Sequence, residues 1–201
     1  STGISFLYGK VVVGVSVGTE YSLALCADGT IAAWGNNSYG YLGDNTNTNR
    51  LTPVGVSAAL GVSSLYGKTV TAIASGSAHS LALCSDGAVV AWGGGAYGKL
   101  GDNTLTNRPA PVLVSASEGV SPLYGKTVAS IFAGWNHSMA LCTDGTMVAW
   151  GNNSNNEIGD NTMTDRPAPV VVSRVNFSAG EIFAGLQIPN ASRRGSTALV
   201  S

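Results

Sequence analysis

A 58-residue internal repeat is the feature that most constrains what this chain can fold into. Equivalent residues recur at this step in the apolar segments and in the loops. The matching sets are Cys26, Cys84 and Cys142; Trp34, Trp92 and Trp150; Asp44, Asp102 and Asp160; Arg50, Arg108 and Arg166; and the phrase Leu-Tyr-Gly-Lys that ends at Lys10, Lys68 and Lys126. A register kept at so many positions predicts one structural unit used three times in tandem.

Each unit has the pattern of four short β-strands. In the second unit, the segments Thr69–Ile73, Ser80–Cys84 and Val89–Trp92 predict three of them. Asp86-Gly87 predicts a two-residue hairpin turn, because a tight turn of this kind needs positive φ angles. Pro111–Val114 predicts the fourth strand, with proline at its first residue, where no ladder donor is lost.

Four short strands that are apolar on both faces are typical of sheets stacked face to face around an axis. A solenoid is the alternative, but its repeats are usually shorter, and no helical periodicity is present in the sequence. We therefore predict an all-β chain of β-propeller blades, each made of four antiparallel strands.

The loop after the third strand carries a resemblance to a known family. It stands as WGNNSYGYLGD over Trp34–Asp44 and as WGGGAYGKLGD over Trp92–Asp102, and HSLAL precedes the latter at His79–Leu83. Together these phrases resemble the repeat of the regulator of chromosome condensation family. The resemblance covers nearly the whole chain and implies blades of a seven-bladed propeller. It is specific to the fold and not to any one function.

The repeats divide residues 1–201, taken as a single domain, into units at approximately 11–68, 69–126 and 127–180, with a partial unit at 181–201. A propeller typically needs about 4–8 blades to close. Three blades and the first two strands of a fourth leave apolar faces and strand edges open. We therefore expect an incomplete or assembled propeller, either a piece of a longer chain or an assembly that covers both ends.

Composition excludes some classes of function. Only 10% of the residues are charged and the formal net charge is -1, so the chain lacks the basic face that nucleic-acid binding requires. Apolar runs such as Val11–Val13 are far shorter than the roughly 20 residues of a membrane-spanning helix. The start, Ser1-Thr2-Gly3, is typical of a mature or trimmed chain. Polar, uncharged loops favour an extracellular or cell-surface protein, with a cytoplasmic protein as the alternative.

The conspicuous residues recur in every unit, which favours a role in blade architecture. The three cysteines lack metal-binding spacing and each closes an apolar strand, so we predict small buried hydrophobic side chains. His79 and His137 align with Tyr21, which predicts a hydrogen-bonded structural ring at the start of a strand. Asp102 and Arg108 are predicted to pair across the loop, as are their equivalents.

No catalytic residue, metal or cofactor is predicted. The oxygen-rich segment 44–48 suggests calcium, but it lacks the further carboxylates of a calcium-binding loop. An enzyme would need a convergent set of unique groups, whereas the acids that occur outside the repeat share no motif. These acids are Glu20, Glu118, Glu157, Asp165 and Glu181.

Function is expected where the repeats differ. The loop tips hold Tyr39 and Tyr41 in the first unit, Tyr97 and Lys99 in the second, and Asn155 and Glu157 in the third, and a longer loop in the partial unit holds Arg193 and Arg194. These eight are the predicted binding residues. Exposed tyrosines on a rigid scaffold suit a protein contact or a carbohydrate contact, although they can equally pack on the neighbouring blade.

A non-catalytic binding module is the function that these patterns favour. It would belong to a larger secreted or surface protein or assembly, and its partner would be a protein or a second copy of the chain. The family resemblance also implies guanine-nucleotide exchange on a small GTPase, but the sequence shows neither an inserted wedge hairpin nor a basic tail. A secreted enzyme inhibitor of similar fold is a further alternative.

Overall fold

The computed structural model describes residues 5–173, which form three four-stranded antiparallel sheets. The predicted partial unit at 181–201, with Arg193 and Arg194, lies outside the described residues. Blade 1 contains β1 (Val12–Val17), β2 (Tyr21–Cys26), β3 (Ile31–Gly35) and β4 (Arg50–Gly55). Blade 2 contains β5 (Val70–Ser75), β6 (His79–Cys84), β7 (Val89–Gly93) and β8 (Arg108–Leu113), with a 3-10 turn at Ala96–Gly98. Blade 3 contains β9 (Val128–Ala133), β10 (His137–Cys142), β11 (Met147–Gly151) and β12 (Arg166–Val171).

The predicted blade architecture is confirmed. Consecutive strands are hydrogen-bonded neighbours in each sheet, in the order β1-β2-β3-β4 and its two repeats. β1 packs beside β5, and β5 packs beside β9. The first strand of each blade therefore lies nearest the axis around which the blades are arranged.

The hydrophobic core lies between successive blades. Blade 1 contributes Leu23 and Leu42 to the first interface, and blade 2 contributes Cys84 and Trp92. The second interface repeats this arrangement one unit further along the chain. Each fully buried leucine of this kind stabilises the fold by about 1.5–3 kcal/mol. The three cysteines are free and buried, as the sequence predicted.

The β6–β7 hairpin differs from the predicted two-residue turn. Cys84 N–H donates to the Ala88 carbonyl over 2.9 Å, so the loop consists of three residues, 85–87. Among them Gly87 takes a left-handed φ of 82°, which is the geometry of a type I turn followed by a bulge. Asp86 instead accepts a hydrogen bond from Ala88 N–H over 3.1 Å, so its side chain closes the turn.

The fourth strand of blade 2 begins at Arg108, earlier than predicted, so Pro109 and Pro111 both lie inside it. Proline is tolerated there because β8 is the edge strand of its sheet. The proline carbonyls accept hydrogen bonds from the blade before: Asn45 N–H donates to Pro109 and Ser64 N–H to Pro111, each over 2.9 Å. The edge strand is thereby covered by its neighbour.

Candidate functional site

The blades end in two rims. The loop rim consists of the turns at 18–20, 76–78 and 134–136 and of the long loops at 36–49, 94–107 and 152–165. The hairpin rim, at the opposite end, consists of the hairpins between the second and third strands and of the linkers between blades. The predicted loop-tip residues within the described part of the chain all belong to the loop rim.

A fully buried asparagine braces the long loop of blade 1. Asn37 Nδ2 donates to Asp44 Oδ1 and to the Thr46 carbonyl, each over 3.0 Å. Its Oδ1 accepts from Leu42 N–H over 2.9 Å. Asn153 makes the equivalent contacts in blade 3. One amide thus satisfies backbone and side-chain groups on both sides of the loop.

Blade 2 holds its loop without this amide, because Gly95 stands where the asparagine stands in the other two blades. The loop closes directly on the glycine. A Cβ at Gly95 would lie 2.1 Å from the Thr106 carbonyl oxygen, a distance that no side chain tolerates.

The predicted ion pair of the loop is confirmed in all three blades. Arg108 Nε donates to Asp102 Oδ2 over 2.8 Å, and the equivalent pairs in blades 1 and 3 measure 2.7 Å and 2.5 Å. Burial alone would raise the pKa of the Asp44 carboxyl. Hydrogen bonds from Thr46 and Arg50 outweigh burial and hold that pKa below its usual range. The charge is therefore part of the loop architecture.

Backbone carbonyls of the loop rim join one blade to the next. Trp92 Nε1 donates to the Tyr41 carbonyl over 2.8 Å, and Trp150 Nε1 donates to the Lys99 carbonyl over 3.0 Å. Ser138 Oγ donates to the same Lys99 carbonyl over 2.9 Å. The chain at these two loop positions is consequently turned inward, toward the following blade.

This inward turn corrects part of the predicted binding set. Tyr41 is buried, with its ring 5.4 Å from that of Tyr21, and Lys99 is only 4% exposed. Both are buried among the blades, and for Tyr41 packing of this kind is the alternative that the sequence left open. Tyr39 and Tyr97 are 53% and 45% exposed. In blade 3, Asn155 is exposed and Glu157 is half-buried.

Lys99 forms an unusual contact for a buried cation. Its Nζ donates to Asn136 Oδ1 over 2.9 Å, and within residues 5–173 it makes no ion pair with a carboxylate. Burial lowers the pKa of the Lys99 amine. This side chain links the long loop of blade 2 to the turn of blade 3 and is not available to a partner.

The aligned rings at the strand starts have the predicted structural role where blades are adjacent. Tyr21 OH donates to the His79 carbonyl over 2.5 Å, and His79 Nε2 lies 2.8 Å from Ser138 Oγ. Burial raises the pKa of Tyr21 to about 12. Burial, followed by the Lys99 charge, lowers the pKa of His79 to about 3. Both rings are therefore neutral at physiological pH and connect successive blades.

Trp135 is a surface residue that the sequence reasoning missed. It is 76% exposed in the turn at 134–136 of the loop rim. Its carbonyl accepts from Ser77 Oγ over 2.5 Å, so the turn is held while the indole faces solvent. The signal was present in the sequence: Trp135 is the tryptophan that does not follow the 58-residue step, and its counterparts are Thr19 and Ser77.

Three further observations concern metal binding, membrane spanning and thiol reactivity in the described residues. Within 5–173, no group of three or more His, Cys, Asp or Glu side chains is placed to hold a metal ion. In the same range, no helix is long and apolar enough to cross a membrane. Burial raises the pKa of the Cys84 thiol to about 11, so this thiol stays protonated near neutral pH.

Sequence comparison assigns the family. A model described as the regulator of chromosome condensation (RCC1) repeat matches residues 28–83 and 86–141, and a second model of the same description matches 12–40, 70–99 and 128–157. The chain belongs to the RCC1 repeat family. The second model matches one segment at the start of each blade, which agrees with the internal repeat.

Curated relatives share the repeat. The chain is 32% identical to the ultraviolet-B receptor UVR8 of Arabidopsis thaliana over 158 residues, which is 79% of this chain and 33% of the receptor. It is 32% identical to the human E3 ubiquitin-protein ligase HERC2 over 154 residues, 77% of this chain and 3% of the ligase. The RCC1 repeats described here thus span a third or less of these relatives.

Solved structures share the fold of this chain. Human WBSCR16 matches with a TM-score of 0.70 and 27% identity, over 85% of this chain and 42% of that structure. Prp20p of Saccharomyces cerevisiae, whose structure was described with its binding properties to Gsp1p and histones, matches with a TM-score of 0.65 and 22% identity, over 82% of this chain and 39% of that structure. The latter likeness concerns the fold alone.

Proposed function

We propose that this chain is a non-catalytic protein-interaction module that binds a protein partner through its loop rim. The observation that carries the proposal is the set of exposed aromatic side chains there, Trp135, Tyr39 and Tyr97. Aromatic anchors of this kind dominate the energetics of protein interfaces. They stand on loops fixed by buried amides, ion pairs and contacts between blades, so little entropy is lost when they are covered.

The pattern of repetition favours the loop rim over the hairpin rim. The hairpin rim also exposes tyrosines, Tyr66 and Tyr124, but these belong to the linker phrase that recurs in every unit. Trp135 has Ser77 as its counterpart in the preceding blade, and Tyr97, which repeats Tyr39, has Asn155 in the following blade. Residues that vary on a constant scaffold are the ones that give each member of a repeat family its own partner.

We further propose that the module acts in a secreted or surface-displayed protein. The low proportion of charged residues and the Asn-, Ser- and Thr-rich loops support this location. Fractionation of the native source, with detection by an antibody against the repeats, tests it. Recovery in the cell-free or surface-exposed fraction is expected, and recovery in the cytoplasm alone would contradict it.

The test of the interaction uses two sets of alanine variants. A partner is captured with the immobilised chain from the native source, purified, and its Kd is measured against each variant. The triple variant Trp135→Ala, Tyr39→Ala and Tyr97→Ala is expected to weaken binding by at least about thirtyfold. The double variant Tyr66→Ala and Tyr124→Ala serves as the matched control on the hairpin rim and should bind normally. The reverse result would move the site to the hairpin rim.

A further inference from the structure

A groove of about 520 Å³ opens on the loop rim between blades 2 and 3. The residues that line it include an aromatic one, Tyr97, an apolar one, Leu105, and an acidic one, Asp165, together with Pro167. Tyr97 and Leu105 come from the long loop of blade 2, whereas Asp165 ends the long loop of blade 3 and Pro167 lies in β12. The groove therefore exists only where two blades meet.

The floor of this groove is fixed by a close backbone approach. A Cβ at Gly98 would lie 2.2 Å from Pro167 Cα, so only glycine permits the two blades to touch here. Asn103 N–H donates to the Pro167 carbonyl over 2.9 Å. The groove is consequently preformed, and a ligand would not have to order it.

Tyr97 is held in a left-handed backbone conformation, with φ 63° and ψ 6°. A bulky residue rarely adopts this conformation, which costs roughly 1–2 kcal/mol. Its counterparts Tyr39 and Asn155 have no positive φ. Strain at a single exposed aromatic residue is typical of a side chain aimed by its backbone toward a ligand.

The charge of the groove is also particular to this junction. Asp165 Oδ1 accepts from Asn153 N–H over 2.8 Å, while Oδ2 has no hydrogen-bond partner among the described residues. The equivalent residue of blade 2 is Asn107, and the equivalent of Leu105 in blade 1 is Asn47. An aromatic face, an apolar wall and a carboxylate therefore come together between blades 2 and 3, whereas the junction of blades 1 and 2 has neutral amides at two of these positions.

The surrounding charges reinforce the negative field. The three arginines of the long loops are each paired with an aspartate, and Lys99 is buried. Within the part of the loop rim that the structure describes, the carboxylates outside ion pairs are Glu20, Glu157 and Asp165. A cation approaching this rim meets unpaired negative charge.

We propose that the groove binds an arginine side chain of the protein partner. This proposal rests on the proposed function and names the chemistry of its ligand. The guanidinium stacks on the Tyr97 ring and donates to Asp165 Oδ2, while the aliphatic stem covers Leu105. A planar guanidinium satisfies a ring face and a carboxylate together, whereas an ammonium is a strongly hydrated point charge.

The test uses blocked tripeptides and amide NMR spectra of the whole chain. The probes are acetyl-Gly-Arg-Gly-amide, its lysine analogue, and its citrulline analogue, which has the shape of arginine without the charge. The arginine peptide is expected to bind in the millimolar range and to shift the resonances of Tyr97, Leu105 and Asp165. The lysine peptide should bind several-fold more weakly, and the citrulline peptide should cause no shift. Equal shifts with lysine or citrulline would overturn the assignment.

Variants that copy another blade keep the test independent of folding. Asp165→Asn reproduces Asn107 and keeps the hydrogen bond to the loop backbone, and it should weaken the arginine peptide by about tenfold. Glu118→Gln removes an exposed carboxylate from the linker between blades 2 and 3, on the hairpin rim, and should leave the affinity unchanged. An equal loss of affinity in both variants would show that general negative charge, and not this groove, attracts the arginine peptide.

The same variants separate the two proposals. If the partner's affinity falls with the aromatic triple variant but is unchanged by Asp165→Asn, the binding module stands and the arginine site is rejected. If the arginine peptide binds but the partner's affinity is unchanged in the aromatic variant, the proposed interface is rejected, and so is the assignment of the groove to an arginine of that partner; the groove then keeps only its affinity for the free peptide.

Discussion

The long loops of blades 1 and 2 are held closed by different means. In blade 1, the buried amide of Asn37 holds the loop together from inside. In blade 2, Gly95 removes the amide, and the backbone at Thr106 closes over the space that it would fill. The first loop is braced by a side chain, and the second by direct backbone contact.

This difference shows that the long loop is a part of the repeat in which the sequence can change while the blade is kept. Blade 3 keeps the asparagine at position 153, so the glycine is a local departure of blade 2. The same loop carries Tyr97 in its left-handed conformation and forms one wall of the groove. The loop with the altered brace is therefore also the loop that presents the most distinctive surface.

The largest expected effect is loss of the amide brace. Asn37→Ala should lower the free energy of unfolding by about 3 kcal/mol, because it leaves the Leu42 N–H and the Thr46 carbonyl buried without this partner. Urea denaturation measures the change. The neighbouring Asn36 is half-buried and bonds Glu20, and Asn36→Ala should cost less than about 1 kcal/mol. Equal losses would show that Asn37 is no more important than a surface amide.

A smaller loss of stability is expected when the asparagine is introduced into the long loop of blade 2. Gly95→Asn restores the residue of the other two blades, yet it should destabilise the chain by about 2 kcal/mol because its Cβ collides with the Thr106 carbonyl. Ala96→Ser, which copies Ser38 at an exposed position, is the control and should change stability by less than about 0.5 kcal/mol. A gain in stability with Gly95→Asn would mean that the loop of blade 2 can be braced by an amide in the same way as the loop of blade 1. The two loops would then not differ in how they are held closed.

The smallest expected effect is a gain in stability when the strained tyrosine of blade 2 is replaced. Tyr97→Asn replaces a strained tyrosine with a residue that enters the left-handed region more readily, and it should raise stability by about 0.5 kcal/mol. Tyr39→Asn, at a position without positive φ, should give no such gain. Thermal unfolding of the two variants side by side makes the comparison, and a gain in both would remove the argument from strain.

Most of the fold could be predicted from the sequence because the repeat fixes it. Four strand patterns per 58 residues, together with the shared loop phrase, give the blades and their order. The errors concern local geometry. Pro111 looked like a strand start because proline lacks a ladder donor, but an edge strand accepts proline further inside, and β8 starts at Arg108. Asp86-Gly87 resembles a two-residue turn until the pairing of Cys84 with Ala88 adds a third residue.

The candidate site was predicted less completely. Tyr39 and Tyr41 look alike in the sequence, but the carbonyl of Tyr41 must meet the indole of Trp92, which turns its side chain inward. That requirement comes from a neighbouring blade and is invisible within one unit. Trp135 lies in a short turn, whereas most of the variation among the repeats lies in the long loops. The sequence shows Asp165 as an acid outside the repeat, but its presence in the same groove as Tyr97 depends on how two blades pack.

The bonds between blades carry a consequence for how such arrays grow. Trp92 and Trp150 each donate a hydrogen bond to a backbone carbonyl, at Tyr41 and Lys99. Because the acceptor belongs to the backbone, this hydrogen bond does not depend on which side chain is present at that position. A duplicated stretch of 58 residues contains both groups of this hydrogen bond. Its tryptophan donates to the preceding blade, and its loop carbonyl accepts from the following blade. A chain of such repeats can therefore lengthen by whole units while the backbone half of each connection is kept.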